Sequence, residues 1–278
     1  MPHRIAFLPL NTYPEAAPDQ AVLAASDFAW ALGCELHVAT FALDIPRTRS
    51  PVSDAILAVE GLARATEQRS KVECERLRAL VEGVSGPERR LHVTSHLVGL
   101  GAGPDAAAIE ARYFDLTLLP WSSEMLSTQE MAQAIVFGSG LPVVIVPPLT
   151  AAGIMDHIAI AWDESRVAAR ALNDALQLLR AGGQVSVLTV GDEKVLSGSG
   201  LSRALTKSLE NRGYDARAVN VSLKGRNLGA ALQDEARAAG AQLLAMGGFG
   251  HSRLRDFILG GATRDVLGDL RMPVLLAH

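Results

Sequence analysis

Apolar residues in this chain fall in short unbroken runs rather than in strict alternation. Arg4-Ile5-Ala6-Phe7-Leu8-Pro9-Leu10 is the first, and Glu35-Leu36-His37-Val38-Ala39-Thr40-Phe41 the second. Leu91 to Val98, Phe114 to Leu119 and Leu141 to Pro147 complete a first set of five. A second set begins at His157-Ile158-Ala159-Ile160-Ala161-Trp162. It continues through Gln184 to Val190, Ala216 to Val221 and Gln242 to Met246, and closes with Met272 to His278. Runs of this length suit strands covered on both faces. Between them lie amphipathic, Ala/Leu-rich stretches that predict helices: Gln20 to Leu32, Ser53 to Glu82 and Gln129 to Phe137, then Arg166 to Arg180, Leu201 to Arg212 and Ala262 to Leu270. The first helix of each set runs into a glycine, Gly33 or Gly182, as helix C-termini prefer.

The pattern is therefore written twice. Both sets close on a Pro-led strand, Pro142-Val143-Val144-Ile145-Val146 and Pro273-Val274-Leu275-Leu276-Ala277, where proline at the first position needs no ladder donor. Alternating strands and helices predict parallel β-α-β units with right-handed crossovers. Each half reads as an α/β unit of the doubly wound, flavodoxin-like type, a five-stranded parallel sheet with helices on both faces and a ligand crevice at the switch point. The Pro/Gly-bearing stretch from Pro147 to Gly153 separates a first domain, residues 1–148, from a second, residues 154–278. Pairing of Val143–Val146 with Val274–Ala277 would join the halves as an intramolecular pseudo-dimer and cover two open sheet edges. Pairing of whole chains into a homodimer is left open. The charge run Glu67 to Glu73, inside the long first-half helix, reads as a solvated face.

Composition narrows the function classes. In 278 residues there are 26 basic and 30 acidic side chains, a net charge of −4, and only 5% aromatics. Neither a basic footprint nor a stacking platform for nucleic acid is present. No apolar run approaches the ~20 residues of a membrane span, and no secretory leader opens the chain. A cytoplasmic setting is the expectation. Cys34 and Cys74 belong to no CxxC or Cys/His cluster and read as small buried hydrophobes. His92 and His96 lack a third ligand within reach and make a poor metal site.

The chemistry is concentrated after the strand ending at Met246. Ala245-Met246-Gly247-Gly248-Phe249-Gly250-His251-Ser252 is followed by Gly260-Gly261-Ala262-Thr263-Arg264, a Gly-x2-Gly-x9-Gly-Gly spacing. Glycines let main-chain amides approach a phosphate closely. The second cluster opens a helix whose N-terminus also favours an anion. Arg253, Arg255 and Arg264 stand near enough in sequence to neutralise charge, though surface roles fit them equally.

This segment resembles the universal stress protein family, whose nucleotide-binding pattern is Gly-x2-Gly-x9-Gly followed by Ser or Thr. Gly247, Gly250 and Gly260 match it, and Gly261 stands where ATP-binding members carry a hydroxyl. Thr263 offers a hydroxyl two residues on. The resemblance implies a tandem member with two adenine nucleotide alpha hydrolase-like units. It further implies ATP or a related adenine nucleotide, with Mg²⁺ as an accompanying ion, in the second half only. Asp163, at the end of that half's first strand, becomes the nucleoside-side candidate, with a turn or cap as its plain structural role. His251 is either a ligand contact or an exposed loop residue.

The first half departs from the pattern. Aligning Pro142 with Pro273 sets Gln129 opposite Gly260 and Glu130 opposite Gly261, and Pro120 falls opposite Gly247. The intervening loop, Trp121 to Thr128, is four residues shorter than its counterpart and has no glycine. Glu124 and Glu130 would repel phosphate, and no aspartate matches Asp163. A family-type nucleotide site is not expected there. The sequence thus leaves three readings. The first is a nucleotide-responsive stress protein acting on an unknown protein partner. The second is an interaction or regulatory scaffold of the same fold that binds no nucleotide. The third is at most a weak ATPase, for which no general base stands out.

Overall fold

The computed structural model describes residues 3–46, 54–151, 153–190, 198–248 and 261–278. The first half runs β1 (Ile5–Asn11), α1 (Asp19–Ala31), β2 (Glu35–Leu43), α2 (Asp54–Val84), β3 (Leu91–Val98), α3 (Gly103–Glu110), β4 (Leu116–Pro120), α4 (Leu126–Gly138) and β5 (Val143–Val146). The second runs β6 (His157–Ala161), α5 (Arg166–Leu178), β7 (Gln184–Val190), α6 (Gly198–Asn211), β8 (Asp215–Val221), α7 (Leu228–Ala238), β9 (Leu243–Gly247), α8 (Gly261–Gly268) and β10 (Val274–Ala277). Each half is a doubly wound α/β unit, as the apolar runs indicate.

The sequence analysis did not place two helices, α3 and α7. Their local signals are modest. Pro104 occupies the first turn of α3, and Asn227 caps α7 by accepting from the Ala230 amide at 2.7 Å. Gly33 and Gly182, just past α1 and α5, adopt φ of 72° and 71°, the left-handed conformation that lets each chain turn back into β2 or β7.

The described strands form one sheet in the order β3-β2-β1-β4-β5-β10-β9-β6-β7-β8. Within each half all pairs are parallel. The third strand lies outside the second, so the winding reverses between β1 and β4, and again between β6 and β9. The halves meet where β5 pairs with β10 antiparallel, through Val274–Ile145, Leu275–Val144 and Leu276–Val143. This register is symmetric about the Val144–Leu275 pair, and neither central strand is left as an edge.

Alternation along the strands divides the core by face. Val144, Val146, Ile158, Ile160, Leu275 and Ala277 pack with α1 and α5. Val143, Ile145, Ala159, Leu244, Val274 and Leu276 pack with α3, α4, α7 and α8. Both clusters run through residues of both halves, so burial is continuous across the junction.

The charge run in α2 is not simply solvated. Glu67 and Ser70 are buried. Glu67 accepts from the Ile45 amide at 2.6 Å and from Arg64 at 2.5 Å, while Ser70 bonds the Leu43 amide and Thr12. These two residues face the end of β2 and satisfy its last amides, while Gln68, Arg69, Lys71 and Val72 of the run are exposed. Cys34 and Cys74 are free and buried, and burial pushes the Cys34 thiol up to about 11. His92 and His96 each meet a separate carboxylate, Glu35 at 3.1 Å and Glu110 at 3.2 Å, and do not converge. Among the described residues there is no group of three or more His, Cys, Asp or Glu able to hold a metal, and no helix is long and apolar enough to cross a membrane.

Candidate functional site

Parallel α/β sheets collect ligands beyond the C-terminal ends of their strands, where the winding reverses. In the second half that place lies over β6 and β9, which pair through Ile160 and Ala245. Asp163 lies two residues past the end of β6, and Gly247 is the last residue of β9. The sequence candidates Asp163 and Gly247 are therefore brought to one end of two adjacent strands.

Asp163 is exposed, and its Oδ1 accepts from the Ser165 amide at 2.9 Å. Ser165 in turn caps α5 by accepting from the Ala168 amide at 3.1 Å. Between them Glu164 takes a φ of 62°, so the turn is held in a left-handed bend by the side chains flanking it. One Asp163 oxygen is thus committed to local structure.

Gly247 has a reason of its own to be glycine. A Cβ there would lie 2.5 Å from Val167 Cγ2 and 2.9 Å from the Ala168 nitrogen, inside the first turn of α5. Gly248 donates its amide to the Ala277 carbonyl at 2.8 Å and faces Val136 of α4 in the first half. Gly261 opens α8, and among the described residues nothing lies within 4 Å of a Cβ added there. Thr263 is buried on the inner side of α8 beside Val266 and Leu267, whereas Arg264 is exposed. Gly250, His251, Arg253, Arg255 and Gly260 lie outside the described residues.

Neighbours that the sequence did not single out fix α8. Gly229 of α7 abuts its backbone so closely that a Cβ would come 2.4 Å from the Val266 nitrogen. Buried Gln233 donates to the Asp269 carbonyl at 2.9 Å and accepts from the Arg271 amide at 2.8 Å. Trp121, from the first half, donates its indole N–H to the Leu267 carbonyl at 2.9 Å. Two C-terminal carbonyls of α8 are thereby satisfied by side chains. The signal for Trp121 was one residue away: if Pro120 stands opposite Gly247, Trp121 stands opposite Gly248. The strands bear this out, since Trp121 donates to the Val146 carbonyl at 3.1 Å as Gly248 does to Ala277.

The corresponding place in the first half is closed by its own side chains. Thr128 Oγ1 bonds the Ser122 and Met125 carbonyls, each at 2.8 Å, Gln129 bonds the Ser123 carbonyl at 2.9 Å, and Ser127 reaches the Glu15 carbonyl at 3.3 Å. The space left between Asn11, Pro120 and Thr128 is about 20 Å³. That is on the scale of a single water.

Residues 155–278 match the model of the universal stress protein family, and this half of the chain belongs to that family. The likeness to solved structures spans both halves. A universal stress protein from Archaeoglobus fulgidus DSM 4304 covers 98% of this chain over 95% of its own, at 14% identity and a TM-score of 0.62. A protein described as a universal stress protein, from Pseudomonas aeruginosa UCBPP-PA14, covers 99% over 93% of its own, at 14% identity and a TM-score of 0.56. At such identities the likeness is one of fold, and it extends that fold to the first half. No curated protein matches the chain.

Proposed function

We propose that this chain is a tandem universal stress protein that binds ATP or a related adenine nucleotide in its second half, with the first half as a structural and signalling partner. One observation supports the reading: in the family-matched half, Gly247 ends β9 and Asp163 follows β6, its neighbour in the sheet, at the end where the winding reverses. Main-chain amides there would hold the phosphates, with the α8 dipole assisting. Asp163 would face the nucleoside. Gly261 leaves room for an anion, but without the hydroxyl that a Ser or Thr would add. Mg²⁺ would accompany a triphosphate as its counter-ion, held chiefly by the nucleotide. The domain limits that go with this reading are residues 1–148 and 154–278, and a protein partner would read the nucleotide state from the surface.

Calorimetric titration of the full chain with ATP, ADP and AMP, with and without Mg²⁺, tests it. Saturable binding of at least one nucleotide that is weakened by Gly250→Val and Asp163→Ala is expected. No heat at millimolar nucleotide would reject the proposal. The second reading, a scaffold of the same fold that binds no nucleotide, draws support from Gly247, whose missing side chain is already required by packing against α5.

A further inference from the structure

Three strands of the second half bring polar side chains together near their starts, at the opposite end from Asp163 and Gly247. His157 opens β6 and Ser186 lies on β7, and both are buried, at 5% and 0% exposure. His157 Nε2 meets Ser186 Oγ at 2.9 Å. Arg217 of β8 pairs with Ser186 in the sheet and is exposed. It donates from Nε to Ser186 Oγ at 3.0 Å and from Nη2 to the Ala239 carbonyl, just past α7, at 2.5 Å. The Gly240 main chain also bonds the His157 ring, and a Cβ on Gly240 would lie 3.8 Å from Nδ1. Arg217 and Asp215, both from β8, are the charged groups that act on the ring. Asp156, its neighbour in the chain, is engaged by Arg180 at 2.7 Å, and Gln242, ahead of β9, accepts from the His157 amide at 3.1 Å.

These contacts fix where the protons sit. A carbonyl only accepts, so Gly240 keeps a proton on Nδ1. Nε2 of the neutral ring is then an acceptor, and Ser186 donates to it. Arg217 only donates, and Ser186 Oγ accepts from it. With a neutral ring every partner is matched. A second proton, on Nε2, turns that acceptor into a donor. The buried Ser186 hydroxyl then has no acceptor, and two cations point at one oxygen. Of those cations Arg217 is the one that water can reach, so it is the one to leave. Burial, first, and then Arg217 hold the ring below its ordinary value of 6.5, against Asp215 and Gly240. The neutral ring therefore contributes stability in full above 6.5, and the contribution is lost as pH falls through the lower folded value. We propose that His157, Ser186 and Arg217 form a proton-sensitive clasp, which ties the edge strand β8 and the end of α7 to the sheet at neutral pH and releases them on acidification. The clasp does not rest on the nucleotide reading, because it lies at the other end of the strands.

Amide hydrogen exchange of the full chain, followed by NMR between about pH 8 and pH 5, tests this over the range in which histidine changes charge. The amides to follow are those of β8 bonded to β7, and Ala239 and Ala241 at the end of α7, bonded to Glu235 and Ala236. After correction for the chemistry of exchange itself, their protection should fall by roughly tenfold on acidification, the scale of one hydrogen bond to a charged group. Amides of the first half should keep theirs. Arg217→Met changes an exposed side chain and removes the clasp, so the same amides should exchange at the faster rate at both pH values. His157→Gln keeps an acceptor for Ser186 but cannot take a proton, so they should stay protected at both. Should that buried variant fail to fold, Arg217→Met decides alone. Protection in the wild type that ignores pH, a pH response that survives in Arg217→Met, or an equal loss across the first half would each overturn the proposal.

Discussion

At the end of β9 the chain has Gly247 and Gly248; at the end of β4, the matching place in the first half, it has Pro120 and Trp121. The strands, their pairing and the helices that follow are alike, yet the two places differ in the residues that leave the strand. In the second half the chain leaves the strand without side chains and reaches α8 through a long glycine-bearing segment. In the first half a shorter segment folds back on itself, and Thr128, Gln129 and Ser127 bond its own carbonyls. Polar groups that could serve a guest are spent on the loop. Asn11 and Asp163 show the same division. Asn11 ends the first strand of its half and Asp163 follows that of the other, and both build a turn, but only Asp163 brings a charge. A shared fold thus fixes where a crevice can be, and a few residues decide whether it is open and what charge it presents.

Trp121 ties the first half to the second, so removing it is the harshest way to break the comparison. Trp121→Ala deletes a buried indole and leaves the Leu267 carbonyl without its donor. A loss of about 3–5 kcal/mol is expected, read from urea denaturation of the full chain. If the two halves are independent, only the first should lose stability. If Trp121 holds α8 as described, the second half should lose cooperativity as well.

Next in size is Gly247→Ala. Its Cβ would enter the first turn of α5, and the backbone there has little freedom to retreat. A destabilisation of about 1–3 kcal/mol follows from overpacking. Should the variant denature like wild type and lose only nucleotide affinity, the glycine would serve the ligand rather than the helix.

The architecture was legible because buried parallel strands leave continuous apolar runs, and the ten runs all became strands. Helix α3 was harder to see. Gly103-Pro104-Asp105-Ala106-Ala107-Ala108 is short and Ala-rich, and its helicity owes more to burial against α4 than to any amphipathic stripe. The buried Glu67 was misread as solvated for a related reason. Nothing local announces that the end of β2 will need an acceptor for the Ile45 amide. Gly247 and Gly261 were legible as glycines of a motif, but their different circumstances were not. One is crowded by α5 and the other meets no described residue, a distinction that exists only once distant elements pack.

That distinction sharpens the comparison through Gly261→Ser. Among the described residues a side chain at 261 meets nothing within 4 Å, and position 261 lies in α8, so serine fits there. It would place a hydroxyl at the start of α8 where the family's ATP-binding members have one. A hydrogen bond to a charged group contributes about 1.5–3 kcal/mol, so ATP affinity should rise by roughly tenfold or more. Calorimetry of the variant against wild type reads this directly. The equivalent change in the first half, Glu130→Ser, should confer no ATP binding, since the neighbouring loop is closed by its own side chains. Affinity gained in the first half would mean that charge, and not closure, separates the two crevices.

The smallest effect concerns how the end of β2 is held at low pH. The Ile45 amide, first, and then Arg64 hold the Glu67 carboxyl below its usual value of 4.5, against the opposing pull of burial. A carboxyl whose folded value is depressed contributes stability above its unfolded value, and that contribution is lost as pH falls through the folded value. Glu67→Gln keeps an acceptor for Ile45 but removes the charge. The variant should be less stable than wild type near neutrality, with the gap constant until the pH nears 4.5 and narrowing below it. Urea midpoints of both proteins across this range measure the gap. A gap that stayed constant well below that pH would assign the contribution to acceptor geometry alone. The end of β2 would then be held by shape, much as Gly247 is fitted against α5 in the other half, and the Glu67 charge would play no part in it.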